Sequence, residues 1–165
     1  MNENEKVLWQ GKYYFRKLEI LNVPCVRGLY FQEEGIDMNT MQVRHYEARA
    51  RKVYAEMLSR GSYIYGCFDD ETKLLVGAIT VNKCLDLYPN YVDKPYIHLE
   101  TFIVHKEYQN QGIGTQLLIK VLEVIKEEGC TYVIMQSANP AVQHMSKKVG
   151  LNDSLADMRI DFVDK

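Results

Sequence analysis

The stretch from residue 96 to residue 135 constrains this chain more than any other. An apolar-rich strand, Tyr96–Val104 (YIHLETFIV), runs through a polar turn and two glycines directly into a helix, Thr115–Glu128. In that helix Leu117, Leu118, Val121, Leu122 and Ile125 recur at three- and four-residue spacing, which predicts one buried stripe. Gly129 supplies the left-handed stop. Tyr132–Met135 then reads as a short apolar strand, so the helix crosses over between strands of one sheet.

The flanks fill in the rest. Lys12–Ile20 alternates aromatic and charged residues and reads as a first strand. Pro24 opens a helix to about Glu34, which Gly35 ends. Asn39 or Thr40 caps a second helix, with Val43, Tyr46, Ala50, Val53, Tyr54, Met57 and Leu58 on one face and Gly61 at its end. Ser62–Phe68 and Leu74–Val81 form an antiparallel hairpin around the polar turn Asp69 to Lys73. After a loop, Asn82–Pro95, and the central unit, Asn139-Pro140 starts a helix that stops at Gly150. Met158–Val163 is expected as a final edge strand. The order β-α-α-β-β-β-α-β-α-β predicts a single α/β domain over residues 1–165, with a mixed, mostly antiparallel sheet and helices on both faces.

Composition removes several function classes. Twenty Lys+Arg against 22 Asp+Glu leave a formal charge of −2, which gives no electrostatic footprint for nucleic acid or an anionic membrane. The longest apolar run, Leu74–Val81, is far short of the ~20 residues of a membrane span. MNENEKVLWQGKYY has no apolar signal core, so a cytoplasmic location is expected. Cys25, Cys67, Cys84 and Cys130 form no CxxC pair and have no His at ligand spacing. Neither a metal site nor a disulfide framework is expected; small buried hydrophobes are.

Chemistry points to the glycine turn. A strand-to-helix turn leaves N–H groups at the positive end of the helix dipole, and glycine lets a ligand approach them. An anionic phosphate is the natural guest. A Walker A loop is ruled out because no Gly-Lys pair followed by Ser or Thr occurs. A dinucleotide fingerprint fails as well, since its third glycine position is Leu117. A purely structural tight turn stays open on the residues alone.

The spacing that fits is Gln-x-x-Gly-x-Gly, as Gln109-Asn110-Gln111-Gly112-Ile113-Gly114. With Asn139-Pro140-Ala141 about 30 positions on and Lys148-Val149-Gly150-Leu151 after it, the chain resembles the GNAT superfamily of acyl-CoA-dependent N-acetyltransferases over most of its length, with a motif core of about 96–151. The resemblance implies that the motif strand and the next one splay apart, with the pantetheine arm of acetyl-CoA in the gap. Phe102, Ile103 and Val104 would then offer main-chain contacts to that arm. Gln109, Asn110, Gln111, Gly112, Ile113, Gly114 and Thr115 would wrap the diphosphate, and Asn139 would contact the arm. The family often has Arg-Gly-Lys where this chain has Gln109-Asn110-Gln111, so weaker binding in the same mode is expected. Ser146 stands where the family often has a Tyr that protonates the departing thiolate; it is counted with the cofactor-binding residues, and no general acid is assigned.

The resemblance also sets the reaction: acetyl transfer to a primary amine by direct attack in a ternary complex. A mostly protonated amine needs a general base. Strand alternation would put His98, Glu100, Phe102 and Val104 on one face, and Glu100, then His98, are the candidate bases. The acceptor, a small molecule or a protein amine, is left open by opposed hints. The loop from Asp86 to Tyr96 holds two carboxylates and three aromatic rings suited to a cation. The second helix, by contrast, carries Arg44, Arg49, Arg51, Lys52 and Arg60. The missing Tyr admits an alternative, a catalytically weak or inactive acyl-CoA-binding module. Homodimers are common in the family, but nothing in the sequence marks an interface.

Overall fold

In the computed structural model, which describes residues 7–34, 42–84, 96–130, 132–154 and 157–161, Tyr96–Val104 is β4, the central strand of a seven-stranded sheet. Its chain order is β1 (Tyr13–Lys17), α1 (Val23–Glu34), α2 (Gln42–Ser59), β2 (Tyr63–Asp69), β3 (Leu75–Cys84) and then β4. After it come α3 (Ile113–Glu127), β5 (Tyr132–Met135), α4 (Pro140–Lys148), β6 (Asn152–Ser154) and β7 (Asp157–Asp161). The strands lie in the order β1-β2-β3-β4-β5-β7-β6. Only β4 and β5 are parallel, because α3 carries the chain back between them.

Two apolar layers cover the sheet. Under α3, Leu117, Leu118, Val121 and Ile125 are fully buried against Ile79, Val81 and Leu99; each such side chain contributes roughly 1.5–3 kcal/mol of burial free energy. On the other face, Val23, Val26 and Leu29 of α1 and Tyr54 of α2 pack on Ile64, Ala78 and Ile103. The Tyr54 hydroxyl donates to the Leu18 carbonyl at 2.8 Å and accepts from the Ile64 N–H at 3.1 Å. Both of its hydrogen-bonding roles are filled inside the core, where burial raises its pKa.

Several expectations are corrected. On α2, Ala50, Tyr54 and Met57 face the core, while Val53 and Leu58 are exposed; the buried stripe is narrower than the apolar pattern suggests. Residues 157–161 are not the sheet's edge, because β6 pairs outside them. Of the four free cysteines, Cys67 and Cys130 are buried, but Cys25 is exposed. The helix stop expected at Gly35, the cap expected at Asn39 or Thr40, the side chains of Val43 and Tyr46, and most of the aromatic loop (85–95) lie outside the described residues.

Candidate active site

The site begins with an irregularity in β4. Ile79 of β3 pairs with Phe102, but the next β3 residue, Thr80, pairs with Glu100. Thr101 is therefore the extra residue of a β-bulge, and its φ is +45°. The bulge turns the faces of the strand over. Before it, Ile97 and Leu99 point into the α3 layer; after it, Phe102 and Val104 do, and Ile103 joins the α1–α2 layer. The expected common face for His98, Glu100, Phe102 and Val104 does not exist, because one inserted residue shifts the two-residue period.

The same point in the chain is where β4 and β5 part. Their pairing covers Ile97 with Val133, His98 with Ile134 and Leu99 with Met135, and goes no further. Beyond Leu99, β4 continues to Val104 with β3 alone beside it. A cavity of about 330 Å³ opens against this stretch. Phe102, Ile103 and Val104 form one wall, the turn from Gln109 to Thr115 closes the end, and Asn139 with α4 forms the opposite wall.

The turn is built for its place. Gly112 has φ +81° and caps α3, a conformation that side chains with a Cβ avoid. Gln116 donates the first intrahelical bond, to the Gly112 carbonyl at 3.0 Å. The N–H groups of Ile113, Gly114 and Thr115 thus precede the ladder at the dipole's positive end. At Gly114 the reason is packing: a Cβ there would sit 3.2 Å from Cζ of Phe102 and 3.4 Å from Sδ of Met145. The side-chain amide of Gln109 folds back and donates to the Val104 carbonyl at 2.9 Å. Gln111 donates to the Glu107 carbonyl and accepts from the Tyr13 hydroxyl at 3.3 Å. Both glutamine side chains hold the turn, and its backbone is left to meet a ligand.

A strand splay, a glycine-capped helix N-terminus and an Asn-capped helix opposite are together the arrangement implied by the sequence resemblance. The family model described as acetyltransferase (GNAT) family matches residues 30–151, well over half of the chain. The chain belongs to the GNAT acetyltransferase family. Solved structures agree in fold. An acetyltransferase of Trypanosoma brucei superposes with a TM-score of 0.71 at 17% identity, covering 90% of this chain and 99% of that one. Glucosamine-6-phosphate N-acetyltransferase of Arabidopsis thaliana gives 0.65 at 16%, covering 86% and 92%. A Clostridium acetobutylicum acetyltransferase solved with acetyl-CoA gives 0.64 at 16%, covering 87% and 92%. No curated protein matches in sequence.

Within this GNAT frame the sequence candidates divide. Phe102, Ile103, Val104, Gln109, Asn110, Gly112, Gly114, Thr115 and Asn139 all line the cavity. Asn139 uses its Oδ1 to cap α4, accepting from the Ala141 N–H at 2.9 Å, so its Nδ2 is what can face a ligand. Gln111 and Ile113 are absent from the wall; Ile113 is a core side chain at 1% exposure that can contribute only its backbone. Ser146 is also absent. It is fully buried, its hydroxyl donates to the Val142 carbonyl at 2.8 Å, and Met135 Sδ is 3.5 Å away. It faces inward from α4, and its side chain cannot touch a molecule in the cavity.

His98 and Glu100 lie outside the cavity wall, on the α1–α2 side of β4, with Nδ1 of His98 3.1 Å from Oε1 of Glu100. Glu100 is the first residue past the last β4–β5 pair. The wall also holds Tyr108, His144, Met145 and Lys148, none of them expected there from the sequence, although Lys148 belongs to the Lys148-Val149-Gly150-Leu151 match. His144, Met145 and Lys148 share a face of α4 with Ala141 by their spacing of three, four and seven residues. That periodicity is visible in the sequence once the helix is known to border a ligand. Among the described residues no group of three His, Cys, Asp or Glu side chains could hold a metal ion. No helix among them is long and apolar enough to cross a membrane.

Proposed function

We propose that the chain transfers the acetyl group of acetyl-CoA to a primary amine, of a small molecule or a protein, by direct attack in a ternary complex. One observation carries this reading: β4 runs on past Leu99 without β5, beside a cavity that ends on the first N–H groups of α3. An open strand edge suits the amides of a pantetheine arm, which can add to it as a strand would. The N–H groups of Ile113, Gly114 and Thr115 suit a diphosphate. Acetyl-CoA supplies the activated acyl group and a thiolate that leaves readily.

In this reading the chain's own groups orient the reactants and move protons. Glu100, at the mouth of the splay, takes the proton from the incoming ammonium; His98 shares that proton across their 3.1 Å contact. The neutral amine forms its C–N bond at the thioester carbonyl, the C–S bond breaks, and the second N–H proton of the amine passes through water to the thiolate, since Ser146 is sealed in the core. The products are an amide, CoA and one proton. Four free cysteines support the cytoplasmic setting expected from the sequence. The test is release of free thiol from acetyl-CoA across a panel of amines. Amine-dependent release is expected. Binding of acetyl-CoA without release for any amine would favour the non-catalytic acyl-CoA-binding alternative.

A further inference from the structure

The nucleotide end of CoA carries a diphosphate and a 3′-phosphate, yet the turn that meets it, Gln109-Asn110-Gln111-Gly112-Ile113-Gly114, has no cationic side chain. Among the described residues the cavity wall has no Asp or Glu either. The ammonium among the described wall residues comes from the other side: Lys148, with the His144 imidazole four residues before it and therefore adjacent on one face of α4. Both are exposed, and Lys148 takes part in none of the ion pairs among the described residues. Lys147 lies beside it in the same last turn and does not line the cavity.

We infer that Lys148 supplies the charge, and His144 one turn before it a hydrogen-bond donor, that bind the phosphates of CoA, so that recognition is split between neutral amides on α3 and an ammonium on α4. This rests on the acetyl-CoA reading above. A charge-assisted hydrogen bond from an ammonium to a phosphate is stronger than one between neutral groups. Among the described residues no carboxylate on the wall competes for the ammonium. The arrangement also explains why a turn without charge suffices at this site.

Lysine at a helix C-terminus has a structural role too, since it complements the dipole. Lys147→Gln removes the same charge from the same turn and is therefore the control. Binding of CoA and of pantetheine, which has no phosphate diester or nucleotide, is measured by calorimetry for the unaltered chain and each variant. Lys148→Gln is expected to weaken CoA binding about ten-fold at low ionic strength, with the loss shrinking as salt is added. Lys147→Gln stays within about two-fold, and all variants bind pantetheine alike. Adding His144→Ala to Lys148→Gln weakens CoA binding further; no added loss would remove His144 from the proposal. Dephospho-CoA separates the phosphates. A Lys148→Gln loss that persists puts the lysine on the diphosphate, one that vanishes puts it on the 3′-phosphate, and either supports the inference. Equal losses in the two lysine variants, or an equal loss with pantetheine, overturn it while the acetyl-CoA reading stands. No CoA binding by the unaltered chain would overturn both.

Discussion

Nδ1 of His98 stands 3.1 Å from Oε1 of Glu100, one residue ahead of the bulge where β4 changes faces. In the proposed reaction the pair handles the proton of the amine together. Glu100→Gln is expected to lower kcat by about 10²–10⁴-fold, the usual contribution of a general base, with acetyl-CoA affinity retained. His98→Gln costs less, and the double variant is no slower than Glu100→Gln alone. Steady-state kinetics with an amine that supports thiol release checks this; losses that multiply in the double variant would mean separate roles.

The two glycines of the turn should fail for different reasons. Gly112→Ala forces a Cβ into φ +81° with no neighbour nearer than 3.7 Å, so it costs roughly 1–2 kcal/mol through the backbone. Gly114→Ala presses on Phe102 and Met145, so its cost is overpacking, offset by up to about 1 kcal/mol of helix propensity inside α3. Because Phe102 is a cavity wall, the second variant also loses acetyl-CoA affinity. Denaturant unfolding measures both costs. Shortening Phe102 to Leu should recover stability for Gly114→Ala and not for Gly112→Ala.

Ser146 is a core residue by position, whatever its place in the motif. Ser146→Ala frees the Val142 carbonyl from its side-chain partner and should cost about 0.5–1.5 kcal/mol of stability. Turnover should be unaltered, because the hydroxyl is sealed from the cavity. A loss of kcat as large as that of Glu100→Gln would return Ser146 to the chemistry.

Asp69 ties stability to pH. Its buried carboxylate accepts from the N–H groups of Thr72 and Glu71 at 3.0 and 2.9 Å and pairs with Lys12 at 3.3 Å. Foremost the Thr72 N–H, then Lys12 and the Glu71 N–H, outweigh burial and hold its pKa below the ordinary carboxyl value. A pKa lowered in the folded state stabilises fully above the unfolded value, about 4, and that stability is lost as pH falls through the folded value. Asp69→Asn keeps a carbonyl acceptor without the charge. Its thermal midpoint should be lower at pH 7 and fall less on acidification; parallel acid limbs would contradict the assignment.

Much of this fold was legible because its signals are periodic. The stripe Leu117–Leu118–Val121–Ile125 and the alternation of Ile97 and Leu99 follow from which faces are buried, and Gly112 and Gly129 mark positions of positive φ. What escaped lacks such a signal. Nothing about threonine announces that Thr101 has a φ of +45°, so the face switch that separates Glu100 from Phe102 could not be read from strand alternation. β6 is Asn-Asp-Ser, a polar edge strand that a search for apolar runs passes over. On α4 the motif spacing picked out Ser146, while the helical phase sends Ser146 inward and gives His144 and Lys148 to the cavity. A linear motif marks where a helix is needed but leaves its rotation to the packing of Met145 against Gly114 and Phe102.

In the proposed function the splay beyond Leu99 and the first N–H groups of α3 form the seat of acetyl-CoA. Calorimetric titration of the full chain with acetyl-CoA tests it most directly. One site is expected, with a dissociation constant on the order of 1 μM to 1 mM and a rise in thermal midpoint at saturating ligand. No heat of binding together with an unmoved thermal midpoint would contradict it.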